Sequence, residues 1–103
     1  MAKVYAMYKR PGDPAAFDRY YYATHVPIAK KIPGLRHYEV TTGQLTTMDG
    51  AQAPYHLVAT LTFDSMEAVA AALTSPEGQA TAADLGNFAT GGVDLCFADT
   101  KAI

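Results

Sequence analysis

Residues Tyr55–Leu73 read YHLVATLTFDSMEAVAAAL, and a single change of period divides them. Up to Phe63 the residues alternate, with Tyr55, Leu57, Ala59, Leu61 and Phe63 on one face and His56, Val58, Thr60 and Thr62 on the other, as in a half-buried strand. After Asp64-Ser65 the apolar positions Met66, Val69, Ala70 and Leu73 fall at helical spacing up to Thr74. A strand that runs straight into an amphipathic helix is one β-α unit. Downstream, Ser75-Pro76-Glu77 supplies a cap, a first-turn proline and a first-turn acid for a second short helix through about Leu85. Gly91-Gly92 then precedes a last strand, Val93 to Ala98.

Upstream the same order occurs once more. Lys3 to Lys9 is apolar on both faces (Val4, Tyr5, Ala6, Met7, Tyr8), as suits a strand covered on two sides. Arg10-Pro11-Gly12 ends it, and Asp13 with Pro14 reads as an N-cap and first helical residue. The helix is expected to reach about Lys31. Pro27 lies inside it, lacks an N–H and disfavours the helical conformation at Val26, so a kink or break is expected just after His25. Pro33-Gly34 provides the stop. A second strand is read from Leu35 to Gln44, with His37, Glu39 and Thr41 on one side and Arg36, Tyr38, Val40 and Thr42 on the other. The small, polar stretch Thr46 to Pro54 (TTMDGAQAP) reads as a mobile hairpin connection.

Strand, helix, strand, strand, helix, strand is the ferredoxin-like β-α-β-β-α-β pattern. It is an α+β fold with an antiparallel four-stranded sheet and its helices on one face, expected here as one domain over residues 1–103. Half of the residues are hydrophobic and 17% are charged, so the helix-free face is expected to be covered by the same face of a second copy in a two-fold dimer. With 8 Lys and Arg against 10 acids, the net charge of -2 provides no field for nucleic acid or an anionic membrane. No stretch approaches the roughly 20 apolar residues of a membrane span, and MAKVYAMYKRPGD is too short in apolar residues for a signal peptide. The lone cysteine, Cys96, supports neither a disulfide framework nor a zinc cluster; it is expected as core filler in a reduced, cytoplasmic protein.

Chemistry concentrates at His25, which has Tyr21 and Tyr22 one helical turn back and Asp18 two turns back. An imidazole titrates near neutral pH and can carry a proton, and phenols can donate to an enolate or phenolate oxygen. The plainer account is a histidine that satisfies carbonyls at the Pro27 bend. Tyr20, Tyr21 and Tyr22 point about 100° apart in turn, so one is expected against the sheet, one at the rim and one, Tyr21, in a cavity. Tyr38 is expected either in the core or on the dimer face. His37 and His56 stand on separate strands with no paired ligand spacing, which argues against a metal. Asp84 is placed either to orient an imidazole or to cap a loop. The chain has no GxGxxG after a strand, no GxxxxGK[ST], no GxSxG and no CxxC, so a bound nucleotide and a serine nucleophile are set aside, leaving proton transfer, ring closure, decarboxylation or oxygenation of a substrate that activates oxygen itself.

Three stretches taken together, FDRYYYATHVPIAKKIPGL (Phe17–Leu35), PYHLVATLTFDSMEA (Pro54–Ala68) and EGQATAADLGNFAT (Glu77–Thr90), resemble the EthD-like family, named for ethyl tert-butyl ether degradation, within the dimeric α+β barrel superfamily. The resemblance covers nearly the whole chain. It implies a subunit that dimerises through its sheet faces, with a cleft between sheet and helices, and it maps the family's histidine on His25, its tyrosine pair on Tyr20 and Tyr21 and its acidic position on Asp84. The expectation is a cofactor-independent homodimeric enzyme or enzyme accessory acting on a hydrophobic carbonyl or phenolic compound, classed with oxidoreductases. His25 would carry the proton, Tyr21 would hold an oxygen, Asp84 would orient the histidine, and Tyr20, Tyr22, Tyr38 and Phe88 would contact the ligand. The alternatives are a noncatalytic ligand-binding dimer, an isomerase or cyclase, and a haem-handling barrel with a histidine ligand, since the fold alone hosts all of these.

Overall fold

Strand β1 (Ala2–Lys9) takes the interior place that its two apolar faces call for, antiparallel both to β3 (Tyr55–Phe63) and to β4 (Val93–Asp99). β2 (His37–Val40) joins the far side of β3, giving the order β2-β3-β1-β4 in the computed structural model, which describes residues 1–103. This is the expected ferredoxin-like sheet. Val4 lies opposite Leu61, Ala6 opposite Ala59 and Tyr8 opposite Leu57. All six are buried on the face that the helices cover. Only one layer of helices is present, and the molecule is a slab of 36 × 35 × 17 Å.

The first helical segment starts as read, with the Asp13 carboxylate accepting from the Ala16 N–H at 3.1 Å and Pro14 opening α1 (Pro14–Tyr20). Its irregularity lies one turn earlier than expected. Tyr21–His25 forms a π-helical turn, in which the Val26 N–H bonds to the Tyr21 carbonyl, and α2 (Val26–Ala29) then carries Pro27 without a break. A proline crowds the carbonyl four residues back and has no N–H of its own, and the widened turn is where that misfit is absorbed.

Ser75 terminates α3 (Met66–Thr74) and caps α4 (Pro76–Phe88), its Oγ accepting from the Gly78 N–H at 3.0 Å. α4 runs three residues past the predicted Leu85. Gly86 does not stop it, and Asn87 and Phe88 therefore join Asp84 on one helix face at i, i+3 and i+4 instead of lying in a loop.

Three further expectations are corrected. β2 spans four residues and not ten, because pairing with β3 ends at Val40–Ala59 and the chain then departs into a loop closed by a Thr46–Gln52 bridge. The alternation of β3 breaks at its start: Leu57 faces Tyr8 but Tyr55 faces Lys9, so His56 is the extra residue of a bulge. Tyr55 thus turns to the helix-free face, where its hydroxyl donates to Asp94 at 3.0 Å, and His56 turns to α1, with its Nε2 2.8 Å from Asp18 and its ring edge-on to Phe17. Cys96 is exposed and not core, since it pairs with Tyr5 on an edge strand. No helix is long and apolar enough to cross a membrane.

The α3–α4 corner leaves no room at Gly78, where an added Cβ would lie 2.0 Å from the Ala72 carbonyl oxygen. At Gly86 nothing lies within 4 Å of that position. Gly78→Ala is expected to destabilise the fold by about 1–3 kcal/mol, as overpacking does. Gly86→Ala, in an open helix interior, is expected to stabilise it by about 0.5–1 kcal/mol. Denaturant midpoints at constant slope measure both, and equal shifts in the two variants would contradict the packing described here.

Candidate functional site

The π-helical turn brings Tyr21 and His25 to the same side of the first helical segment, facing the sheet, and both are buried. Asp84 reaches them from α4. The His25 Nδ1 lies 2.9 Å from Asp84 Oδ2, while Asp84 Oδ1 accepts from the Tyr20 hydroxyl at 2.6 Å and from Asn87 Nδ2 at 2.9 Å. His25 and Asp84 are 3% and 6% exposed. A carboxylate only accepts, so the Nδ1 carries the proton and Nε2 presents its lone pair. That lone pair faces the Tyr8 hydroxyl at 3.5 Å, a long contact that a ligand can replace.

Electrostatics fixes the charge states. Burial pushes the His25 pKa below its ordinary value, and the hydrogen bond and charge of Asp84 offset this only in part. Burial would raise Asp84, but the bonds from Tyr20, Asn87 and His25 outweigh it and hold the carboxyl below the usual range. The resting pair is a neutral imidazole beside an ionised carboxylate. Burial also raises Tyr8, Tyr21 and Tyr38 above an ordinary phenol, which keeps them protonated as donors.

Nε2 opens on a cavity of about 240 Å³ between the sheet and the helices. Its polar end is made by His25, Tyr8 and the hydroxyls of Tyr21 and Tyr38, which lie 2.6 Å apart. No Lys, Arg, Asp or Glu lines it, and only His25, Gly78 and Thr81 among its eighteen lining residues are not hydrophobic. The site therefore suits an uncharged compound with one polar edge.

Of the residues singled out from sequence, His25, Tyr21 and Tyr38 line the cavity. Asp84 sits behind the imidazole. Tyr20 stacks on Phe88 at 5.4 Å, and Phe88 lies 4.6 Å from the His25 ring, so these two back the site and do not line it. Tyr22 points outward, 49% exposed. Asp18, expected beside His25, is engaged with His56 instead. The three histidines do not converge: His37 is exposed beside Glu39, and no group of three metal-ligating side chains is present. Tyr8 escaped the sequence reading. Its signal was the Val4-Ala6-Tyr8 alternation in β1, which marks it as inward-facing but resembles ordinary packing.

The depressed pKa of His25 links the site to stability. Below about 6.5 an unfolded chain binds a proton at residue 25 that the folded chain refuses, so stability falls as pH falls through that value toward the folded pKa. Asp84, also depressed, stabilises the fold above about 3.9, and this is lost as pH falls through its folded pKa. Thermal melts between pH 8 and pH 5 are expected to show the first loss in the wild type and to lack that component in His25→Gln. Identical profiles would show that His25 is not held neutral.

The EthD domain model matches residues 9–92. An uncharacterized 11.0 kDa protein in the thcB-thcC intergenic region of Rhodococcus erythropolis is 39% identical over 103 residues, covering 100% of this chain and 98% of that protein. The crystal structure of an EthD family protein from Bacillus halodurans superposes with a TM-score of 0.89 at 32% identity, over 98% of this chain and 99% of that one. At the level of fold alone, SnoaB from Streptomyces nogalater, a cofactor-independent oxygenase, gives a TM-score of 0.65 at 17% identity over 99% and 93% of the two chains. A dimeric ferredoxin-like protein of unknown function from Jannaschia gives 0.68 at 16% identity over 96% and 98%. With a family model matching most of its length and a full-length relative at 39% identity, the chain belongs to the EthD domain family.

Proposed function

We propose that this protein is a small, cofactor-independent enzyme that takes a proton from a neutral, hydrophobic carbonyl or phenolic compound. The observation that carries this reading is a buried, neutral His25 whose Nδ1–H is tied to Asp84 and whose Nε2 faces a cavity without charged groups. A ligand C–H or O–H displaces the Tyr8 hydroxyl, and Nε2 accepts its proton. The imidazolium that forms gains an ion pair with Asp84. The electron pair left behind moves onto the ligand oxygen, which accepts a hydrogen bond from the Tyr21–Tyr38 pair. One of the two phenols donates to the other, and the remaining O–H is free for the ligand. Low polarity strengthens each of these contacts.

An enolate or phenolate held this way is the common entry to isomerisation, to ring closure and to oxygenation in which the carbanion itself reduces dioxygen. Oxygenation is the branch that would place the protein among oxidoreductases, and the cofactor-independent oxygenase on the same fold is in keeping with it. The working unit in this reading is a homodimer joined through the helix-free sheet faces. Tyr5, Met7 and Val58 form the middle of that face beside the exposed Cys96, and a ferredoxin-like neighbour is itself dimeric.

Proton abstraction is measurable without the natural substrate. Deuterium exchange into 2-tetralone, a neutral bicyclic ketone with an acidic C–H, is expected to be accelerated by the wild type and to fall about 10²–10⁴-fold in His25→Ala. The rate should rise with pH and level off below pH 6.5, following the lowered pKa of the imidazole. Undiminished exchange in a folded His25→Ala protein would sink the assignment, and saturable binding without exchange would favour a carrier. Light scattering at micromolar concentration is expected to give twice the 11.0 kDa of one chain, and a stable monomer would refute the dimer.

A further inference from the structure

The sheet side of the cavity is lowest where two small side chains stand on the central strands. Ala6 and Ala59 stand directly opposite one another on the two central strands, both buried. On the same face their neighbours along the strands are large: Val4 and Leu61 on one side, Tyr8 and Leu57 on the other. Same-face positions are two residues apart, so Val4 and Tyr8 stand about 13 Å apart along β1. The alanine pair is a shallow trough between them, broad along the sheet and one side chain lower than its borders. The roof above mixes small residues, Ala29 of α2 and Gly78 and Ala82 of α4, with the larger Ile32, Leu73 and Leu85. The low, level part of the lining is therefore the sheet floor at the alanine pair.

The gap also has an inside and an outside. Tyr8, His25, Tyr21 and Tyr38 gather at the inner end, and all are buried or half-buried. Only three of the lining residues are exposed, namely Ala82 on α4 and Leu95 and Phe97 on β4. Leu95 pairs with Ala6 and Phe97 with Val4, so both project from the helix-covered face of the sheet, yet on the edge strand β4 each is 45% exposed. The slot between α4 and β4 is thus the mouth, with an apolar lip.

From this we infer that the ligand is a flat, neutral, fused-ring phenol or ketone that lies on the Ala6–Ala59 floor with its oxygen inward at His25 and its apolar edge in the mouth between Ala82, Leu95 and Phe97. The inference rests on the proposed proton-abstraction site and adds the ligand's shape and direction. A cavity of about 240 Å³ falls below the usual range for drug-sized ligands, roughly 300–1,000 Å³, which sets the enclosed part at about two rings. An anionic group at the inner end meets no cation. A substituent at the outer end meets solvent.

The probe is 2-naphthol, followed by its fluorescence and by amide chemical shifts of the protein. Saturable binding is expected, with the largest shifts at Ala6, Ala59, Leu95 and Phe97. 6-Bromo-2-naphthol, extended at the end opposite its hydroxyl, should bind at least as well, and 3-hydroxy-2-naphthoate, with a carboxylate beside the hydroxyl, should not bind. Ala59→Val and Ala6→Val, whose β-branched side chains suit strands, fill the floor and should weaken 2-naphthol by about tenfold or more with thermal stability kept or raised. Absence of saturable binding to the wild type, shifts confined to another surface, acceptance of the carboxylate, or unchanged affinity in folded floor variants would each overturn the inference. The two readings separate: floor variants that lose 2-naphthol while His25→Ala keeps full deuterium exchange would uphold the floor and discard the base.

Discussion

A carboxylate buried between two helices is tolerated only while every oxygen has a donor, and Asp84 meets that condition with three: His25, Tyr20 and Asn87. Two of these donors come from the first helical segment and one from its own helix. The bonds therefore dock α4 against the first segment at one point, and they do so with direction, which apolar contact cannot supply. Removing one partner of such a buried pair costs about 3–5 kcal/mol, so the geometry that aims the imidazole is also a geometry the fold needs. Orientation of the imidazole and docking of the helices are one arrangement.

Around that point the packing is aromatic. Tyr8, Phe17, Tyr21 and Phe88 meet with ring centroids 5.2–5.8 Å apart, mostly edge to face. Phe88 also lies against the imidazole. The cluster excludes water from one side of the dyad, while the alanines of the sheet leave the other side open. Burial thus has two effects on a single histidine. It lowers the proton affinity of the ring, and it leaves the cavity beside the ring without a charged side chain to pair with an entering ion.

Much of this was legible in the chain. The switch from period two to helical period at Asp64-Ser65 placed β3 and α3, and the serine and aspartate caps with their following prolines marked the starts of α1 and α4. What escaped the reading has physical reasons. Gly86 weakens a helix by propensity alone, and the packing of Leu85 and Phe88 overrides so small a term. Pro27 announced a disturbance, but not that a wider turn upstream would absorb it. The bulge at His56 adds one residue to a strand whose alternation looks unbroken. The dyad itself joins residues 59 apart in sequence, and nothing local to His25 or to Asp84 names the other; the sequence offered Asp84 either as a partner for an imidazole or as a loop cap, and spacing could not choose.

The π-helical turn has one further meaning. A turn with one extra residue shifts the phase of everything before it relative to everything after it, by about 100°. Upstream, the helix presents Phe17 and Tyr21 to the aromatic cluster; downstream, the same sheet receives Ala29 and, just beyond the helix, Ile32. A helix of uniform pitch would have to compromise between those two registers. The extra residue lets one continuous segment offer an aromatic face at one end and an aliphatic face at the other, and His25 stands at the seam where the two faces are out of step.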